Sequence, residues 1–123
     1  MAAVDLWKKL QIRPGMTAVI LHAPVDAPTV EGPFELADDA AAAGVVVQFV
    51  LTREELAAQG GAAVRAALED RVAWVAYPKA RKLGTDLNRD ILASEMTARG
   101  AEPVRQVSLD ETWSALRFRP AAR

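Results

Sequence analysis

A chain of 123 residues, 51% hydrophobic and 25% charged, has the composition of one soluble globular domain with its own core and is too short for two ordinary ones. Its 15 basic and 16 acidic residues leave a net charge of −1, so no overall electrostatic footprint points to nucleic acid or an anionic membrane, and no apolar run approaches the roughly 20 residues that span a bilayer. With no cysteine and a single histidine, His22, the sequence excludes disulfides, thiolate zinc sites, cysteine nucleophiles and multi-histidine metal sites, and it carries no calcium-loop motif.

VDLWKKLQI sets Val4, Trp7 and Leu10 at helical spacing, and Pro14-Gly15 ends this short amphipathic entry helix with a turn. Its lysines lie within the pattern rather than ahead of an apolar core, so the stretch does not read as a secretory signal and the chain is expected in the cytoplasm. TAVILHA, residues 17–23, is β-branched and almost continuously apolar, as in a strand covered on both faces, strand A. Residues 24–43 read as a long loop, PVDAPTVEGP, followed by one or two helical turns in FELADDAAAA.

GVVVQFVL, residues 44–51, is a second buried strand, B, and Thr52 with Glu55 has capping-box spacing at the start of a helix that runs towards residue 69 and breaks at Gly60-Gly61. RVAWVAY makes strand C, and Leu87, Ile91 and Leu92 mark a helix that stops near Gly100. PVRQVSL and TWSALRF are strands D and E, joined through Asp110 and Glu111, a link short enough to force them antiparallel. Helices between A, B and C require parallel strands with right-handed crossovers. The predicted fold is a single α/β domain over residues 1–123. It is a three-layer Rossmann-like sandwich on a mostly parallel five-stranded sheet of order A-B-C-E-D, with E antiparallel.

IRPGMTAVILHAP, WVAYPK, TDLNRD and DETWSALRF together resemble an uncharacterised family of small bacterial α/β domains with a Pro-Lys strand end, a Thr-Asp helix start and a closing Asp-x-Thr-Trp-Ser strand. The likeness runs from about residue 6 to 119, and the family is in turn similar to a trimmed methyltransferase fold. In such a fold a glycine-rich turn after strand A lets the backbone approach the cofactor. Here the turn is His22-Ala23-Pro24-Val25-Asp26-Ala27-Pro28, so the resemblance implies a degenerate domain that binds no S-adenosylmethionine, and no cofactor is expected.

Ligands of open α/β sheets sit outside the carboxyl ends of the parallel strands. His22 arrives there from A, Thr52 from B, Pro78 and Lys79 from C, and Asp110 with Glu111 from the D–E link, followed by Thr112, Trp113 and Ser114 of E. As a functional cluster these residues make a polar pocket walled by Trp113, with Lys79 as an anion contact. As a structural one, Lys79 pairs with Asp110 or Glu111, the hydroxyls satisfy the turn, and Trp113 is core, which is the favoured expectation. Lys79, Arg81 and Lys82 precede a helix whose N-terminus Thr85 or Asp86 is expected to cap, leaving a solvated loop rather than a phosphate site.

Arg105, Arg117 and Arg119 share one pleat parity and read as a solvated face or protein contact rather than an RNA surface. Strand D offers an edge for a homodimer, while Pro103 and Arg105 discourage pairing, so that question stays open. The functional expectation is a non-catalytic module that binds a small ligand or a protein partner. The rival is an enzyme acting on a small anionic substrate through Lys79.

Overall fold

The computed structural model describes residues 5–121. In chain order it runs α1 (Leu6–Lys9), β1 (Thr17–Leu21), β2 (Glu35–Leu36), a 3₁₀ turn (Ala40–Ala42), β3 (Val45–Phe49), α2 (Arg53–Gln59), α3 (Gly61–Leu68), β4 (Val72–Pro78), a second 3₁₀ turn (Lys82–Gly84), α4 (Arg89–Thr97), β5 (Ala101–Ser108) and β6 (Trp113–Pro120). The six strands form one mixed sheet of order β2-β1-β3-β4-β6-β5. β2, β1, β3 and β4 are parallel, and β6 is antiparallel to both β4 and β5.

The sheet therefore has one strand more than the five read from the sequence. Glu35 and Leu36, read there as part of the helical turns in FELADDAAAA, pair with Thr17 and Ala18 instead. The reason is the outer edge of β1: the Met16 and Ala18 carbonyls take the Glu35 and Ala37 N–H groups at 3.1 and 2.8 Å. Both β2 side chains are exposed, so no hydrophobic alternation announces the strand. The helical turns shrink to the single one at Ala40–Ala42, capped by the Asp39 carboxylate on the Ala41 N–H. Val4, read as part of the entry helix, lies outside the described residues.

Each strand sends alternate residues to opposite faces. One face packs Val46, Ala73, Val75, Leu116 and Phe118 against Leu56 of α2, the alanines 63, 66 and 67 of α3, and Leu92 and Met96 of α4. The other packs Val45, Val47, Phe49, Trp74 and Ala115 against Leu6 of α1, Leu10 at its C-cap, Val30 and Leu109. All five β3 side chains are buried, as the unbroken apolar run predicts for a strand covered on both sides. The Trp74 indole N–H donates to the Leu10 carbonyl at 2.8 Å, which fixes the end of α1 on the sheet.

Gly60 lies at the junction of α2 and α3, where a Cβ would come within 2.5 Å of the Leu56 carbonyl oxygen. Gly100 ends the α4 segment at φ +94°. The expected cap of α4 needs correction. Asn88 fills that role, its Oδ1 accepting the Ile91 N–H at 2.8 Å. Thr85 instead donates to the Leu51 carbonyl and accepts from the Leu87 N–H, and Asp86 accepts the Arg53 N–H at the start of α2. Both groups serve the neighbouring element, which the chain separates from them by more than thirty residues and sequence spacing does not reveal.

Candidate functional site

The predicted strand-end residues divide into two groups at the same edge of the sheet. The first is a polar knot at the turn between β5 and β6. Asp110 accepts the N–H groups of Thr112 and Trp113 at 2.8 and 2.7 Å, and the Leu109 N–H meets the Trp113 carbonyl at 2.9 Å. The Lys79 N–H donates to the Thr112 carbonyl at 2.7 Å, its ammonium donates to the Ser108 hydroxyl at 2.8 Å, and that hydroxyl donates to the Asp110 carbonyl at 3.2 Å.

The ion pair expected between Lys79 and Asp110 or Glu111 is not formed. The Asp110 carboxylate is spent on two backbone donors, the Lys79 ammonium bonds to the Ser108 hydroxyl instead, and Glu111 remains exposed. Ser114 is buried on β6 opposite Tyr77. Burial pushes the Tyr77 phenol above its ordinary range, only partly countered by the nearby Arg89 charge, and its oxygen accepts from Gln106 Nε2 at 3.0 Å.

The second group surrounds a cavity of about 290 Å³ beyond the ends of β1 and β3, lined by His22, Ala23, Pro24, the segment Phe49–Leu51, Glu55, Gln59 and Trp113. Phe49 and Trp113 meet edge-to-face at 5.1 Å between ring centres and form its floor, each nearly wholly buried. Trp113 is thus core and cavity wall at once. Lys79, Asp110, Glu111, Thr112 and Ser114 do not line the cavity, so of the predicted cluster only His22 and Trp113 reach it.

His22 leaves the β1 ladder at φ +59°, a conformation uncommon for a side chain with a Cβ. Its orientation is set by Gln48. The Gln48 amide nitrogen donates to the Phe49 carbonyl at 3.0 Å and lies 2.9 Å from His22 Nδ1. Both N–H groups of the amide are then used, so Nδ1 stands as the acceptor and Nε2 as the ring N–H. The remaining amide oxygen, Gln48 Oε1, is buried without a partner among the described residues.

Across the cavity the Thr52 hydroxyl accepts the Glu55 N–H at 3.1 Å, which begins α2 as its spacing predicts. Glu55 Oε1 reaches back to the Leu51 N–H at 3.0 Å, one residue earlier than a reciprocal capping box requires. Glu55 and the exposed Gln59 line the cavity from α2. The site thus offers an N–H donor, a carboxylate oxygen, a carboxamide and an apolar floor. Its lining among the described residues includes no Ser, Thr, Tyr or Lys side chain, and among the described residues no group of three His, Asp or Glu is placed to hold a metal.

Sequence reasoning missed Gln48, Glu55 and Gln59 as site residues. Gln48 left a signal: it is the one polar residue in GVVVQFVL, and a buried amide in a central strand needs partners. Glu55 was read as a cap, and Gln59 carried no signal beyond its place one helical turn further on. No family model matches the chain, and no curated protein matches it. No helix among the described residues is long and apolar enough to cross a membrane.

Proposed function

We propose that this chain is a non-catalytic binding module of Rossmann-like, methyltransferase-like three-layer fold, and that its ligand is a small planar heterocycle held at the ends of β1 and β3. The observation that carries the reading is the cavity of about 290 Å³, with His22 Nε2–H on one side, Glu55 and Gln59 on the other, and Phe49 with Trp113 beneath. Its volume is at the lower end of ligand pockets, and its mixture of an apolar floor with a few convergent polar groups is the usual make-up of such sites. A flat molecule with adjacent donor and acceptor atoms matches that arrangement.

The rival reading, an enzyme using Lys79 on a small anion, has less support, since the Lys79 ammonium is engaged by Ser108 outside the cavity. Calorimetric titration with adenine, the simplest probe carrying donor and acceptor side by side, is expected to give a saturable heat that disappears in Gln59→Ala and Glu55→Gln. S-adenosylmethionine is expected to give none, because Pro24 and the left-handed His22 fill the position where a glycine turn admits the cofactor backbone. Absence of heat with adenine, or micromolar binding of S-adenosylmethionine, overturns the reading.

A further inference from the structure

Three glutamates of the described residues are half-buried: Glu55, Glu95 and Glu102. Glu95 is ion-paired with Arg53 and Arg99, and Glu102 with Arg119. Glu55 takes part in no ion pair among the described residues, although it is the one that lines the cavity at the ends of β1 and β3. No Lys or Arg side chain lines that cavity either.

The Glu55 carboxylate is held in place rather than free to swing into solvent. Its Oε1 accepts the N–H of Leu51, which is itself a lining residue, at 3.0 Å. That bond keeps the carboxylate at the end of β3 and occupies one lone pair of one oxygen; Oε2 makes no hydrogen bond among the described residues. Beside it lie the aromatic rings of Phe49 and Trp113. A carboxylate next to apolar surface is stabilised by a cation brought to it, and a planar cation with two parallel N–H groups fits a carboxylate best.

We propose that the ligand of this cavity is a flat organic cation, which presents an amidinium or guanidinium edge to Glu55 and its apolar body to Phe49 and Trp113. The proposal rests on the reading of the cavity as a ligand site and adds the charge of the ligand to it. A neutral amidine edge, such as that of adenine, offers one N–H and one bare nitrogen. The protonated edge offers two N–H groups and the charge that Glu55 lacks. Phosphorylated and carboxylated molecules are disfavoured at the same site, because the lining supplies an acidic side chain and no Lys or Arg.

The test follows the Leu51 and Glu55 backbone amide resonances by NMR during titration with benzamidine, with its neutral counterpart benzamide, with benzoate and with adenine. Benzamidine is expected to bind about tenfold or more tighter than benzamide, the difference that a charge-assisted pair of hydrogen bonds makes, and benzoate to give no saturable shift. Glu55→Gln keeps an oxygen for the Leu51 N–H and is expected to abolish the preference for benzamidine. Glu54→Gln, which removes the exposed neighbouring charge, is expected to leave it unchanged. Saturable adenine binding with benzamide equal to benzamidine overturns the cation proposal and leaves the cavity reading standing; no saturable shift with any of the four overturns both. A preference that survives Glu55→Gln, or falls equally in Glu54→Gln, also overturns the proposal.

Discussion

The two polar groupings at the carboxyl edge of the sheet differ in how their hydrogen bonds are spent. At the β5–β6 turn the carboxylate, hydroxyl, ammonium and backbone groups bond to one another and tie the hairpin to the end of β4. Beyond β1 and β3 the side chains line an open volume, and His22, Glu55 and Gln59 each keep capacity for a bond not made among the described residues. A cluster of polar residues at a strand end therefore says little about function until its internal partners are counted.

Trp113 belongs to both groupings, so its loss is expected to break both. Trp113→Ala removes an almost fully buried indole and should cost about 3–5 kcal/mol in urea unfolding, together with adenine binding. Asp110→Ala separates them. It deprives the Thr112 and Trp113 N–H groups of a charged acceptor and should cost about 1.5–3 kcal/mol while leaving adenine affinity intact.

Lys79→Ala should cost about 1 kcal/mol or less, the value of one hydrogen bond to a surface hydroxyl, again with no effect on ligand. A variant that keeps its melting temperature but loses an anionic substrate would instead restore the enzyme reading. The smallest effect concerns the anchoring of α2, the helical wall of the cavity. Hydrogen bonds from Arg53 and Arg99 hold the Glu95 carboxyl below its ordinary range. A depressed folded-state value contributes stability that is present above the unfolded-state pKa and lost as pH falls through the folded one. Thermal melts on the acid side should therefore decline less steeply in Glu95→Gln than in the parent chain.

The strands and helices with strong periodicity were legible because burial on both faces writes continuous apolar runs, as in TAVIL and VVVQF. β2 was not, because two exposed residues held by backbone bonds leave no side-chain pattern. The cap of α4 failed for a related reason. Thr85 and Asp86 bond to Leu51 and Arg53, partners that only the parallel arrangement of β3 and β4 brings close. For the candidate site, strand-end topology brought His22 and Trp113 to the edge where the cavity lies. Distances within that edge then decided that Lys79 and Asp110 belong to a turn, and that Glu55 and Gln59 of α2 belong to the cavity.

Mapping adenine onto the backbone amide spectrum tests the division between cavity and turn most directly. Saturable shifts are expected at His22, Ala23, Val50, Leu51, Glu55 and Gln59, with Lys79, Ser108 and Glu111 unmoved. Shifts centred on Lys79 and the β5–β6 turn, with the residues around His22 unmoved, would contradict the account.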